Sequence, residues 1–424
     1  MKKFLSAFFA LLITALTFSF SSVSASALAK KSDIEALRGT KLYVYNWGEY
    51  ISDGEDGTLD VNAAFTEKYG IQVVYDTFDN NETMYSKLKS GGVSYDVVFP
   101  SDYMIERMIS EGLLEKIDFS NVPNFSYIPE KYRNLSYDPT NEYSVPYTVS
   151  YVGLIYNSKM VYEKPDSWAA LWDENYTNDI LMFDNPRDAF AIAQSLLGMD
   201  YNMESETAWR TAAALLKEQK TVSPGYVNDE IFLKMESGEA ALGPYYVGDF
   251  LTMKENNEDL EFVYPKEGVN YFLDCACILK GTKNKLAAEL YLNFLNEPEV
   301  AQANAEYICY GSPNEAVYTN EDYEYYQNEL LYPEEGAFKT QIFRNLSPET
   351  LALMSTLWDD VKNYIPSNGS YRYVFFGDDT SPIASKEDLS GDATKYGICI
   401  GVFLLICLAY IIFRFARKRY RENI

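Results

Sequence analysis

The chain contains no histidine. That absence removes Ser-His-Asp and Cys-His catalysis and most zinc chemistry, all of which need an imidazole. Cysteine is scarce too. Of five, Cys399 and Cys407 lie in an apolar stretch near the C-terminus, and Cys275, Cys277 and Cys309 are spaced for neither a disulfide framework nor a Cys-rich metal site. These three read as small buried apolar residues, with a bond from Cys309 to one of the others left open. Positive charge is the minority: 36 Lys and Arg face 62 Asp and Glu, a formal charge of −26. Such a field repels nucleic acid and attracts cations. There is no Gly-x-x-x-x-Gly-Lys phosphate loop, no solenoid repeat and no low-complexity tract. The acidic run Asp53–Asp60 departs from the EF-hand pattern and reads as a solvated loop, so neither a metal nor a cofactor is implied.

What the chain does have is aromatic surface: 37 tyrosines, with aromatics at 16% of all residues. A tyrosine hydroxyl resists burial without a partner, so many of these rings belong in clefts or on surfaces. The ends read as targeting segments. Lys2 and Lys3 precede the apolar run Phe4–Phe18 and small-residue cleavage sites, which makes 1–29 a secretory signal. The apolar stretch 396–413 has about the length of a membrane span, and the basic tail 414–424 that follows places the C-terminus in the cytoplasm. Residues 366–395, mixing Ser, Gly, Asp and Lys, read as a tether between this span and an exported body. The expected topology is a single-pass protein of the cell membrane with an extracellular or periplasmic body.

Within that body, from Lys41 to about Ile365, short β-branched and aromatic runs alternate with amphipathic stretches, the βαβ pattern of a parallel sheet. Strands are expected at 41–45, 71–75, 95–99, 151–156, 180–183, 240–243 and 272–279. Helices are expected near 59–69, 84–88, 104–112, 189–197, 206–217 and 285–295. The first strand runs into Tyr45-Asn46-Trp47-Gly48-Glu49-Tyr50, where two large rings flank one carboxylate. Strand ends of open α/β sheets aim their loops into ligand clefts. Rings and a carboxylate are the groups that grip an alkyl ammonium.

The motifs Asn46-Trp47-Gly48-Glu49-Tyr50, Asn81-Glu82-Thr83-Met84-Tyr85, Tyr95-Asp96-Val97-Val98-Phe99-Pro100-Ser101, Ser144-Val145-Pro146-Tyr147, Tyr264-Pro265-Lys266-Glu267-Gly268 and Tyr310-Gly311-Ser312-Pro313-Asn314 appear in that order. Together they resemble the spermidine/putrescine-binding proteins of polyamine ABC importers, over nearly all of the exported body. The resemblance implies an α/β, two-lobe periplasmic-binding-protein fold of type II with a ligand cleft between the lobes. The C-terminal transmembrane helix adds to that fold class. The resemblance also places the first lobe at 40–148 and 271–320 and the second at 149–270 and 321–365.

A polyamine alternates methylenes with ammonium groups, so its pocket needs spaced carboxylates and aromatic walls. Carried over by motif, Trp47 and Tyr50 would be walls and Glu49 would meet a terminal amine; Trp47 as plain core is the competing reading. Ser101 and Tyr103 fall at a polar and an aromatic contact, with a helix cap at Ser101 equally open. Asp188, in Phe183-Asp184-Asn185-Pro186-Arg187-Asp188, falls at an amine-binding acid, or is a first-turn dipole partner. Asn185 stands where the best-known spermidine binders have aspartate. Tyr246 and Phe272 stand at tryptophan positions. Asp274 is an acid inside the apolar run Tyr271–Leu279, costly unless paired, and matches an amine-binding acid of the family; a structural ion pair is the alternative. Tyr310 completes the set. A glutamine contact of the family has no assignable position here.

The function so implied is capture of spermidine or putrescine for an importer whose permease subunits and ATPase are separate chains. The binder would be a monomer that does no chemistry on its ligand. Two alternatives remain: a two-lobe binder of ferric ion, through Tyr245 and Tyr246, or of thiamine, and a hydrolase using Glu49, Asp188 and Asp274 as an acid/base set.

Overall fold

The computed structural model describes residues 30–366 apart from 93 and 224, and of residue 56 only the backbone. Ten strands run through it: β1 (Lys41–Trp47), β2 (Gln72–Phe78), β3 (Val97–Val98), β4 (Ser144–Asn157), β5 (Leu181–Phe183), β6 (Gly225–Val227), β7 (Leu242–Tyr246), β8 (Leu260–Val263), β9 (Val269–Ile278) and β10 (Thr340–Gln341). The helices that frame the site are α1 (Val61–Tyr69), α2 (Asn81–Lys89), α3 (Asp102–Ser110), α4 (Pro186–Leu196), α5 (Glu206–Gln219), α6 (Val247–Asn256), α7 (Lys285–Leu295), α8 (Pro298–Ile308) and α9 (Pro348–Lys362).

The first half is a three-layer sandwich, and the alternation of side chains along each strand builds it. Leu42, Val44, Val97, Ala276 and Ile278 face one side of the sheet, where α1 (Val61, Phe65) and α7 (Leu290, Phe294) cover them. Tyr45, Val98, Leu273, Cys275 and Cys277 face the other, under α2 (Met84) and α3 (Met104, Ile105, Met108). The helices start where their sequence lets them: Asp60 caps α1 by accepting from the Ala63 N–H, and Asn80 caps α2 through the Thr83 N–H. Cys275, Cys277 and Cys309 are free and buried, so the possible Cys309 bond does not form.

The sheet order is β2-β1-β3-β9-β4-β7. A parallel sheet was expected, and β1 does pair in parallel with β2 and β3. The centre is antiparallel: β9 runs against β3, and β4 against β9, β7 and β8. The reason lies in the two long strands, β4 leaving the first half and β9 returning to it, since a return beside the outgoing strand must run the opposite way. β4 and β9 are register partners from Ser144↔Cys277 to Tyr151↔Tyr271, with a slip between Pro146 and Thr148. Pro146 has no N–H to give the ladder, and the slip leaves Tyr147 as the extra residue.

Beyond the crossing, β4 pairs with β7 and β8, and β5 pairs with β6. Helices α4, α5 and α9 pack there through rings: Phe190 lies 5.0 Å from Trp209 and 6.2 Å from Trp358.

The C-terminal transmembrane helix in the expected fold class is corrected. No helix among the described residues is long and apolar enough to cross a membrane. The most apolar of the helices named above, α7, has 11 residues, against about 20 needed to span the hydrocarbon. Residues 1–29, the tether from 367 onward, 396–413 and 414–424 lie outside the described residues, so the architecture that stands is the α/β body alone, and membrane anchoring with a cytoplasmic C-terminus is not part of it.

Candidate ligand-binding site

Asp274 sits mid-strand on β9, 4% exposed. Its register partner across β4 is Thr148, and Ser101 forms a bridge with it from the other side. Tyr50 arrives from the loop after β1: its hydroxyl donates to Asp274 Oδ2 at 2.7 Å and shares a 2.7 Å bond with Thr148 Oγ1. The slip at Tyr147 helps fix that loop, because the Tyr147 hydroxyl donates to the Tyr50 carbonyl at 2.8 Å. The other carboxylate oxygen, Oδ1, is buried without a hydrogen-bond partner. Burial pushes the Asp274 carboxyl up to about 6, against the pull of Ser101, Tyr50 and Thr148. That shift is a penalty of roughly 3 kcal/mol on the charged form, which a cation at Oδ1 offsets.

Asp188 lies in the first turn of α4, 5% exposed. It accepts from the Tyr246 hydroxyl at 2.9 Å. Burial pushes it up to about 7, with Glu82 adding to the rise and Tyr246 and the Arg187 guanidinium opposing it. Asn185 is the N-cap of this helix, accepting from the Arg187 N–H. Tyr103, on α3, donates its hydroxyl to Glu82 Oε1 at 2.9 Å and lies close enough to Asp188 for that carboxylate to raise its phenol.

The walls follow. Trp47 closes the end of β1 with its indole N–H on the Phe99 carbonyl at 2.8 Å, and its ring stands 6.5 Å from that of Tyr50. Tyr310 packs edge-on against Tyr50 at 5.4 Å. Tyr246 packs edge-on against Phe272 at 5.4 Å. Ser101 heads α3 but does not cap it with its side chain; its hydroxyl accepts from Asn81 Nδ2 at 3.0 Å instead.

Glu49 is not brought to this group. It is exposed, in the left-handed conformation at φ 51, and the phenol it influences is Tyr307. A non-glycine residue held there costs of order 1–3 kcal/mol, the kind of strain found in ligand loops.

Two acids escaped the sequence reading. Asp249, in the first turn of α6, accepts from the Tyr310 hydroxyl at 2.7 Å, and burial with Asp229 nearby pushes it up to about 7. Its place three residues beyond Tyr246 was the available signal. Asp102 is fully buried beside Ser101, raised well above the usual carboxylate range by burial, with Asp274 adding to it. Arg187 is the buried cation among these acids; its Nη2 donates to Asn202 Oδ1 at 2.8 Å, and burial lowers it to about 10. The result is a set of desolvated carboxylates, Asp102, Asp188, Asp249 and Asp274, interleaved with rings of Tyr50, Tyr246, Phe272 and Tyr310.

The family described as bacterial extracellular solute-binding protein matches residues 61–330. The chain belongs to that family. This solute-binding protein is 33% identical over 343 residues to the spermidine/putrescine-binding periplasmic protein of Salmonella typhimurium, covering 80% of this chain and 97% of the relative. It is 33% identical over 326 residues to the Escherichia coli protein of the same description, covering 76% and 92%. Among solved structures, a spermidine/putrescine ABC transporter protein of Listeria monocytogenes superposes with TM-score 0.72 at 34% identity, covering 77% of this chain and all of the other. The spermidine/putrescine substrate-binding protein of Streptococcus pneumoniae gives 0.68 at 34%, covering 77% and 99%. The resemblance read from the sequence motifs is thereby shown, and with it the type II fold. These relatives bind solutes and are not enzymes, which removes the hydrolase alternative.

Proposed function

We propose that this solute-binding protein captures a linear polyamine, spermidine or putrescine, outside the cytoplasm and delivers it to an ABC importer whose permease and ATPase are separate chains. The observation that carries the reading is Asp274: a buried carboxylate with one oxygen on the Tyr50 hydroxyl and the other without a hydrogen-bond partner, set among tyrosine rings. An ammonium supplies both the charge and the donors that this oxygen lacks. Asp188 and Asp249 offer further carboxylates for a second and third nitrogen, and Phe272, Tyr246, Tyr310 and Tyr50 cover methylenes. The relatives' names, which specify spermidine and putrescine, support the same ligand class.

Ferric ion is disfavoured on chemistry. Tyr245 and Tyr246 give their hydroxyls to different carboxylates, Asp229 and Asp188, and burial raises both phenols, against the phenolate that iron requires.

Calorimetric titration of the purified chain with spermidine, putrescine and ferric citrate tests the proposal. Heat with an aliphatic polyamine and none with iron is the expected result. No heat with either polyamine at pH 7.5 overturns it.

A further inference from the structure

Glu106 and Arg344 belong to opposite halves of the body. Glu106 is on α3, whose Met104, Ile105 and Met108 are buried in the first-half core with Tyr45 and Val98. Arg344 lies in the link from β10 to α9. Its backbone is bonded to second-half residues: its N–H donates to Asn202 Oδ1 at 2.8 Å, its carbonyl accepts from Arg187 Nη2 at 3.2 Å, and the carbonyl of Ile342, two residues earlier, accepts from Asn202 Nδ2 at 2.9 Å, while the Ile342 side chain packs against the first-half core. Phe343, the residue before it, is buried with Ala191 of α4 and Tyr201.

From that anchorage the guanidinium crosses to α3. Nε donates to both oxygens of Glu106, at 2.9 and 3.1 Å, and Nη2 donates to Oε1 as well. The Asn345 N–H adds a further bond to Oε2 at 2.8 Å. A planar fork plus a backbone donor on one carboxylate fixes direction as well as distance, unlike a loose surface pair. Other ion pairs among the described residues, such as Lys254–Glu261 and Lys280–Glu115, stay within one half.

The contact is also joined to the candidate site. Phe343 lies between Tyr103 on α3, 6.2 Å away ring to ring, and the Arg187 guanidinium, 4.6 Å from its ring. Arg187 directly precedes Asp188, and Tyr103 precedes Glu106 by one helical turn on the same α3. Any movement of α3 away from α4 must therefore pull Glu106 off Arg344, because hydrogen bonds of this kind are lost beyond about 3.5 Å.

We propose that Glu106 and Arg344 are positioning residues: an interlobe clasp that holds the two halves together over a bound ligand and sets how slowly it leaves. The proposal rests on the polyamine-capture reading for its ligand, but the clasp itself is a property of the chain. It acts mainly on dissociation, because affinity differences among variants of one interface reside mostly in the off-rate.

The test uses the full chain and four forms: wild type, Glu106→Gln, Arg344→Gln and the exchanged pair Glu106→Arg/Arg344→Glu. Spermidine dissociation is followed by stopped-flow tyrosine and tryptophan fluorescence, and the unliganded forms are compared by thermal melting and small-angle scattering at low salt. Each single variant is expected to release spermidine about tenfold faster, with the on-rate within about twofold of wild type and the melting temperature of the unliganded chain nearly unchanged. The exchanged pair recovers part of the loss, and added salt speeds wild type more than Glu106→Gln. The single variants also scatter with a larger radius of gyration than wild type. Release rates and radii equal to wild type overturn the clasp. So does faster release that tracks a fall in melting temperature with no recovery in the exchanged pair, since that describes a merely structural contact. Absence of spermidine binding in wild type sinks the capture reading instead, and the radii of the unliganded forms then decide the clasp by themselves.

Discussion

Asp274 and Asp188 are both buried carboxylates that accept from a tyrosine hydroxyl, yet the molecule treats them differently. Asp274 sits in the middle of a paired strand, β9, where the ladder to β4 fixes its backbone and Tyr50, Thr148 and Ser101 approach from three separate elements. No cation stands among the influences on it, and one oxygen is left over. Asp188 sits in a helix first turn beside the Arg187 guanidinium, whose charge already offsets part of its cost. On the proposed reading the strand-borne acid takes its balancing charge from the ligand, while the helix-borne acid is partly satisfied from within. Losing the first should therefore cost more than losing the second.

The largest expected effect breaks the comparison at its stronger side. Asp274→Ala leaves a bound ammonium buried without its partner, a loss of about 3–5 kcal/mol, so the dissociation constant for spermidine should rise by roughly two to four orders of magnitude. Titration calorimetry on variant and wild type reads this directly. An unchanged constant would mean that the amine is met elsewhere. Asp274→Asn keeps the volume, so a loss of similar size would assign the effect to charge rather than packing.

Proton linkage probes both acids together. The free carboxyls lie up at about 6 for Asp274 and about 7 for Asp188 and Asp249, and a polyammonium ligand binds their ionised forms. Binding must then expel protons at pH 6, and affinity should fall by at least about tenfold between pH 8 and pH 5.5. Without ligand the sign reverses. The native state holds more protons than the unfolded chain between the ordinary carboxylate range and pH 7, so this stability is fully present only below about pH 4 and is lost progressively as pH rises from there through 7. Melting curves at pH 5.5 and 8, with and without spermidine, should cross over in order. A ligand-free chain more stable at pH 8 would contradict the assigned burial costs.

How much of this was readable in the sequence depends on the reach of each contact. Asp274 announced itself because an acid in an apolar run breaks the period-two pattern of a strand, and that needs only local sequence. Tyr50, Tyr310 and Tyr246 were legible as motifs near element ends. The partnership of Tyr50 with Asp274 joins residues 224 apart, and no local pattern encodes it. Asp249 was hidden by an ordinary helix first turn, where acids are common for dipole reasons alone. Glu49 was placed by its motif, but in the turn after β1 it takes the left-handed conformation itself and stands exposed. The mixed sheet was missed because alternation of strands and helices reveals the layers, whereas strand direction is set where the chain crosses between halves.

Asp188→Asn sharpens the comparison from its weaker side. Because Arg187 supplies charge to this carboxyl already, removing the acid leaves an arginine less well paired as well as a ligand nitrogen less well met. The expected loss in spermidine affinity is about tenfold, clearly smaller than for Asp274→Asn. Equal losses would show that the neighbouring guanidinium does not share the carboxylate, and the contrast between strand-borne and helix-borne acids would be wrong.

The smallest effect is expected at Asn185, three residues earlier. Its side chain caps α4 by accepting from the Arg187 N–H, a task aspartate performs as well, so Asn185→Asp should leave the melting temperature nearly unchanged. What it adds is one negative charge at the head of the helix that carries Asp188, where the N-terminal dipole tolerates it. As a surface ion pair that charge is worth up to about 1 kcal/mol to a ligand ammonium, a gain of a fewfold in affinity. The gain should be larger for spermidine than for putrescine, because only the triamine has a nitrogen to spare once two others are paired. Parallel titrations of the two ligands measure the ratio. Equal gains for both would mean that the added charge acts through the general field of the cleft, and that the short ligand already reaches the α4 end.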